Sequence, residues 1–189
     1  MQKQVICATG NQVKFDVISA ALAPLGVILL QKKLELTEIQ ATSVGDVARF
    51  TAQRAFELLR TDVITTDAGC SIEALRGFPG PYIKYVNEWF TADDYLRLMQ
   101  GQQNRNASFQ EALGCCKAGK ESVVFVRDLP GTLAQKAGAK STYTSFNEIF
   151  IPEGFDKVSS EIAPDKIVLW AQKTEDPNFW QHVADYFLK

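Results

Sequence analysis

Histidine is almost missing from this chain. His182 is the only one among 189 residues, near the C-terminus on a segment with helical spacing, so hydrolytic triads that need an imidazole base are disfavoured. An excess of one charge is missing too. Twenty Lys and Arg stand against 22 Asp and Glu, a net charge of −2, which argues against a basic nucleic-acid binder. An anionic ligand must then be held locally, by a few lysines, backbone amides or a metal ion. No apolar run approaches the length of a membrane span, and Met1-Gln2-Lys3 leads straight into a strand-like run rather than the apolar core of a secretory signal. The four cysteines, Cys7, Cys70, Cys115 and Cys116, form no C-x-x-C pair. They read as reduced core thiols of a cytoplasmic protein, without a metal cluster. Repeats and low-complexity linkers are absent as well.

What is present is a globular composition: 46% hydrophobic residues with 12 Phe and 3 Trp, enough for one domain with an aromatic core. Val5-Ile6-Cys7-Ala8 reads as a strand, followed by helical spacing in Val13, Val17, Ile18, Ala21 and Leu22. Val27 to Leu30 is a second strand. Leu34 to Ala41 is irregular. Ser43 and Asp46 look like a capping box for a helix through Leu59, and Thr91 and Asp94 look like another. Val63 to Thr66 reads as a strand that delivers Asp67 at its C-terminal end, with Gly69 at the following turn. Gly77, Pro79, Gly80 and Pro81 punctuate a long loop. Ser108 to Lys117 and Ser122 to Arg127 read as strands around a turn at Ala118-Gly119-Lys120. Residues 129 to 148 are broken by Pro130, Gly131 and Gly138. Asp176 and Pro177 open a last helix with Trp180, Val183, Ala184 and Phe187 as its buried stripe. The whole is a mixed α/β domain.

Thr9-Gly10-Asn11 with Lys14 is the most informative stretch. A strand running through a Gly turn into a helix presents backbone N–H groups at the positive end of a helix dipole, and a nearby Lys can close that site around a phosphate. Taken alone, the four residues fit an ordinary strand-to-helix turn equally well. Asp67, at the end of an apolar strand, sits where open α/β sheets place ligands; it also fits a turn aspartate capping its own backbone. Glu38 is the natural second carboxylate, and two hard oxygen ligands with phosphate oxygens and waters suit Mg²⁺. Alone, Glu38 is simply a solvated glutamate. Leu75 to Lys84 is dense in Gly and Pro, which suits a functional loop or a rigid turn. Gly114 to Lys120 has P-loop spacing, but Glu121 stands where Ser or Thr must bind Mg²⁺ and no helix follows, so it reads as a hairpin turn.

Together these motifs resemble the inosine triphosphate pyrophosphatase family, which hydrolyses deaminated purine nucleoside triphosphates. The resemblance runs from about Val5 to Tyr186 and rests on Thr9-Gly10-Asn11-x-x-Lys14, Glu38, Asp67-x-Gly69 and the Leu75–Lys84 segment, in that order. It implies one two-lobed domain over residues 1–189, a curved mixed β-sheet with flanking helices, two lobes around a central nucleotide cleft, and a homodimer. It implies Mg²⁺-dependent cleavage of a nucleoside triphosphate to the monophosphate and pyrophosphate, with no nucleic-acid or membrane partner. By position, Thr9, Gly10, Asn11 and Lys14 would hold phosphates, Glu38 and Asp67 the metal, and Asp67 would alternatively activate water. Phe146, Asn147 and Lys166 would meet the base or substrate.

The second half departs from the family pattern. Phe-Gly-Trp/Tyr-Asp is replaced around Ser145-Phe146-Asn147, with Phe146 still able to stack on a base. Ser-His-Arg is replaced by Ile167-Val168-Leu169-Trp170-Ala171. The acid before Asp67 has become Thr66, and a helix lysine has become Thr51, with Arg49 and Arg54 nearby. The phosphate and metal end is expected to be intact and the base-reading end rebuilt. A degenerate nucleotide-binding homodimer without catalysis is the alternative.

Overall fold

The computed structural model describes residues 2–189. The chain opens with a βαβ unit in which β1 (Lys3–Cys7), α1 (Gln12–Leu22) and β2 (Val27–Gln31) bring two parallel strands together, Lys3 opposite Val27 and Cys7 opposite Gln31. Then come α2 (Val44–Leu59) and β3 (Val63–Ile72), which returns parallel to β1 with Cys7 opposite Ile64. The rest of the chain forms β4 (Phe78–Gly80), α3 (Ile83–Trp89), α4 (Ala92–Leu98), β5 (Asn106–Cys116), β6 (Val123–Leu133), β7 (Phe150–Pro152), α5 (Pro164–Ala171) and α6 (Phe179–Leu188). Seven strands share one mixed sheet in the order β2-β1-β3-β5-β6-β7, with β4 antiparallel to β3. The α/β class with a mixed sheet and flanking helices is the one the sequence predicts.

The chain divides into two compact units. The first comprises the chain through Ala68, Glu111–Arg127 and Val168–Lys189; the second comprises Gly69–Gln110 and Asp128–Ile167. In the first unit, α6 buries Phe179, Val183, Ala184 and Phe187 against Val5, Cys7, Ile18, Leu22, Val27 and Leu29. These residues recur on one helical face, and each large apolar side chain so buried contributes roughly 1.5–3 kcal/mol. Helix α2 instead turns a small-residue face to the sheet: Gly45, Ala48, Ala52 and Ala55 are buried. In the second unit the core is aromatic. Phe146 meets Tyr95 and Phe109 edge-on at centroid distances of 5.6 and 5.4 Å and stacks on Phe150 at 5.6 Å. Offset and edge-on pairs of this kind are the favoured ring geometries.

Several boundaries differ from the sequence reading. Strand β3 does not stop at Thr66. It continues through Asp67 and Gly69 to Ile72, because β4 pairs along its far half with Cys70 opposite Gly80. Asp67 therefore lies within the strand, and Gly69 is not a turn residue. The punctuated loop is a tight return between β3 and β4, in which Arg76 and Gly77 take positive φ, followed by α3. Strand β6 runs through Pro130 and Gly131. A Cβ on Gly131 would come within 2.3 Å of the Ile151 carbonyl oxygen, so that glycine serves close strand approach rather than a break. Helix α6 starts at Phe179, and Asp176 accepts the Asn178 N–H one turn earlier. Ser43 caps α2 through the Gly45 N–H at 3.1 Å, one residue short of a capping box. Thr91 and Asp94 do form the full box on α4. The turn after β5 is a hairpin turn, as expected, with the Lys120 N–H on the Lys117 carbonyl and Gly119 at φ 75.

Gly114, the first glycine of the rejected P-loop spacing, has a packing role. A Cβ there would lie 2.1 Å from the Ala48 carbonyl oxygen and 2.8 Å from Thr65 Oγ1. Gly114→Ala is expected to destabilise the protein by about 3 kcal/mol, the upper range for an overpacked site whose neighbour is backbone. Gly119→Ala, with nothing within 4 Å of its Cβ position, should cost about 1 kcal/mol for its left-handed backbone alone. Urea unfolding of the two variants checks this; equal losses would remove the close contact as the cause.

Candidate active site

The parallel strands β2 and β1 end side by side while β3 runs on past them, and the candidate residues follow from this register. Cys7 ends β1 opposite Gln31 and Ile64, and the Ala8 N–H still reaches the Ile64 carbonyl at 2.9 Å. The chain then turns at Thr9-Gly10-Asn11. Asp67 lies three residues beyond Ile64, roughly 10 Å further along β3. The Thr9-Gly10-Asn11 turn and Asp67, within β3, thus lie past the carboxyl ends of β1 and β2, the side of the sheet on which open α/β folds bind ligands.

Side-chain bonds shape the turn. Thr9 Oγ1 accepts the Asn11 N–H at 3.1 Å, and Asn11 Oδ1 accepts the Lys14 N–H at 3.1 Å, making Asn11 the N-cap of α1. Asparagine is among the best residues for that role. The first turn of α1 carries no acid and instead holds the half-buried Lys14. A cation beside the positive end of a helix dipole is unfavourable unless an anion joins it. By contrast, α4 carries Asp93 and Asp94 in its first turn and α2 carries Asp46.

A second lysine, missed in the sequence, comes to the same turn. The Lys32 N–H bonds the Cys7 carbonyl at 2.9 Å, extending the β1–β2 pairing by one residue. This lays the stem of Lys33 over Gly10, with Cγ and Cδ 3.3 Å from where a Cβ would stand. The sequence signal was the Lys32-Lys33 pair directly after an apolar strand.

Glu38 is exposed on the irregular segment after β2. That segment is anchored by Leu34 and Leu36, which pack with Ile6, Ala8 and Phe56 around Ala52, Ala55 and Val63. Asp67 is half-buried. No cluster of three metal-binding side chains occurs among the described residues. Glu38 and Asp67 are hard oxygen donors of the kind that suits a hydrated Mg²⁺ taking its remaining ligands from phosphate oxygens and water.

The predicted base-side residues belong to the second unit. Phe146 has no exposed surface; its ring is enclosed by Tyr95, Phe109 and Phe150. The expectation that it offers a face to a base is corrected: it is a core residue. Asn147 accepts from Thr144 Oγ1 at 2.6 Å and donates to Ser159 Oγ at 2.9 Å, so its amide braces two short turns. Lys166 is exposed on α5. Thr51 donates to the Val47 carbonyl within α2, while Arg49 bonds the Ser122 carbonyl and Arg54 pairs with Glu57, so neither arginine simply replaces the lysine missing at Thr51.

The electrostatics around Cys7 tie these groups together. Burial pushes its thiol up to about 12, the carboxylate of Glu111 adds to the rise, and Lys14 opposes it. Lys14 and Glu111 thus both act on the end of β1. Thr66, in place of the expected acid, donates to Glu111 Oε1 at 3.0 Å, and Glu111 is paired with Arg127. His182 lies 3.3 Å from Asp176 before α6.

A model of the Ham1 family matches residues 5–167. A protein of Methanopyrus kandleri named dITP/XTP pyrophosphatase is 34% identical over 163 residues, 86% of each chain. One of the same name from Ignicoccus hospitalis is 32% identical over 166 residues, 87% of this chain and 88% of the relative. Among solved structures, a HAM1 protein from Coxiella burnetii superposes with a TM-score of 0.77 at 14% identity, covering 99% of both chains. The Staphylococcus aureus Ham1 protein superposes at 0.74 with 18% identity, covering 97% of both. The structural likeness concerns the fold, and the sequence matches carry the kinship: this chain belongs to the Ham1 family.

Proposed function

We propose that this chain is a nucleoside triphosphate pyrophosphatase, converting NTP and water to NMP and pyrophosphate. The observation that carries the reading is the turn after β1: an asparagine-capped helix start with Lys14 in its first turn, no acid there, and the stem of Lys33 lying over Gly10. That turn favours a multiply charged anion, and dITP/XTP pyrophosphatase relatives support a triphosphate as its identity. Thr9, Gly10, Asn11 and Lys14 bind the phosphates. Lys14 neutralises developing charge in a reaction that depends mostly on positioning and electrostatics. Glu38 and Asp67 would hold Mg²⁺, which when bound supplies further charge neutralisation. Asp67 orients the attacking water and takes its proton if it is not itself a metal ligand. The functional unit is one two-lobed domain over residues 1–189 acting as a cytoplasmic homodimer.

The base end differs from the family pattern. Deaminated purine nucleotides are the expected substrate class, but Ile167, Val168 and Leu169 carry no side-chain partner for a purine oxygen and Trp170 is buried. Asn147 is occupied by Thr144 and Ser159. Lys166 remains a candidate contact. A second reading, nucleotide binding without catalysis, draws on Thr66 and Thr51, whose hydroxyls are bound within the protein where acid and lysine were expected.

Three outcomes are expected. With Mg²⁺, pyrophosphate is released from nucleoside triphosphates and EDTA stops the release; Asp67→Asn lowers turnover by about a hundredfold or more while melting stays cooperative. Turnover unchanged in Asp67→Asn would remove it from the mechanism, and nucleotide binding without release would favour the second reading. In a binding titration, Lys14→Ala weakens a non-hydrolysable triphosphate about tenfold or more and the nucleoside hardly at all, since the lysine acts on charge. Equal loss for both would assign Lys14 to the fold. Across ITP, XTP, GTP, ATP and the pyrimidine triphosphates, kcat/KM favours ITP over GTP by less than about a hundredfold, or 2.7 kcal/mol. A larger ratio would mean that other residues read the base.

A further inference from the structure

Beside Asp67 lies a buried ion pair that the phosphate motifs do not involve. Glu111 on β5 and Arg127 on β6 are 7% and 5% exposed. Arg127 Nε lies 2.9 Å from Glu111 Oε2, and Nη2 bonds the same oxygen. Nη1 donates to the carbonyls of Ala171 and, at 3.2 Å, Lys173, closing the C-terminal end of α5. The guanidinium also lies 4.6 Å from the Trp180 ring centroid and 5.7 Å from that of Phe179. The other carboxylate oxygen, Oε1, accepts the Thr66 hydroxyl at 3.0 Å.

A buried pair of this kind is weak evidence for stability, because desolvation offsets much of its attraction and apolar side chains of similar volume often serve as well. The geometry points to another use. Successive residues of a strand face opposite sides of the sheet. Thr65 donates to the Ala48 carbonyl of α2 at 3.0 Å, and Thr66 donates to Glu111. The two residues before Asp67 are therefore gripped from both faces, one by a helix carbonyl and one by a carboxylate that Arg127 fixes in direction.

We propose that Glu111 and Arg127 are positioning residues for Asp67, acting through the Thr66 hydroxyl; the proposal rests on the pyrophosphatase reading. A hydrogen bond has a preferred direction, and one held at its acceptor by a second donor constrains the group that makes it. Hydrolysis of a phosphoanhydride is sensitive to small displacements of the group that orients water or metal. The pair thus converts a carboxylate with no contact to substrate into a restraint on β3 one residue from the chemistry.

The test compares Thr66→Val, which keeps the shape and removes the hydroxyl, with Thr66→Ser, which keeps the hydroxyl. Expected is a fall in kcat of about tenfold or more in Thr66→Val with KM within about threefold, and kcat close to the unaltered protein in Thr66→Ser. A Glu111→Leu/Arg127→Met double variant should melt near the unaltered protein and yet show the same loss of kcat. Unchanged kcat in Thr66→Val, equal impairment in Val and Ser variants, or full kcat in a well-folded double variant would overturn the positioning role and leave the pyrophosphatase reading standing. Absence of pyrophosphate release by the unaltered protein from every triphosphate would overturn that reading and this proposal with it.

Discussion

Much of the first unit depends on how closely α2 lies against the sheet. Gly114 has no side chain, so the Ala48 carbonyl can enter the space a Cβ would fill, and the Thr65 hydroxyl meets it there at 3.0 Å. The contact joins a helix backbone to a sheet backbone with almost nothing between. The buried alanines of α2 follow from it, since larger residues would lift the helix away. So does the packing of Leu34 and Leu36 against Ala52 and Ala55, which fixes the extended segment leading to Glu38. A constraint set by the smallest residues thereby places a carboxylate that the sequence could locate only on an irregular stretch.

The turn after β1 and the helix it opens were legible because their determinants are local. Thr9-Gly10-Asn11 and Lys14 lie within one turn, and the rules for helix caps and dipoles act over that distance. The alternation of strands and helices in the first half was legible for the same reason, as was the rejection of the P-loop spacing. Asp67 was correctly placed on an apolar strand, but its position within that strand was misread. Gly69 looks like a stop, and only the pairing of Cys70 with Gly80 shows that the strand continues. Lys33 was missed because its relation to Gly10 depends on the register of β2 against β1. Phe146 was expected to stack on a base because an isolated Phe carries no mark of what surrounds it. Its three ring neighbours, Tyr95, Phe109 and Phe150, come from other elements of the chain.

Conflict between local rules and observed residues separates the functional candidates from ordinary structure. Helix α4 follows every rule, with a capping box and acids in its first turn; its Asp94 carboxyl is held below the usual range, chiefly by the Thr91 hydroxyl. Helix α1 breaks the charge rule by carrying Lys14 there. Sequences fold reliably when their levels agree, so a disagreement retained in a well-packed region points to a demand from outside the fold. On the proposed reading, the demand at α1 is for an anion.

The Glu111–Arg127 pair is a disagreement of another kind, since it places two charges where apolar side chains would pack. Its partners show why the arrangement is tolerated. Arg127 directs its donors to a carboxylate and to helix-end carbonyls that would otherwise lack intrahelical N–H partners, and its faces lie near the rings of Phe179 and Trp180. Glu111 receives both the guanidinium and the Thr66 hydroxyl. A network satisfied at both ends is stiff in a way an apolar contact is not, because each bond has a direction and leaving one unmade in a low-dielectric interior is costly. Apolar packing would hold β3, β5 and α5 together but would leave the orientation of Thr66 to sterics alone. The charged pair adds a directional restraint to the backbone immediately before Asp67, the residue whose angle matters most to the proposed reaction.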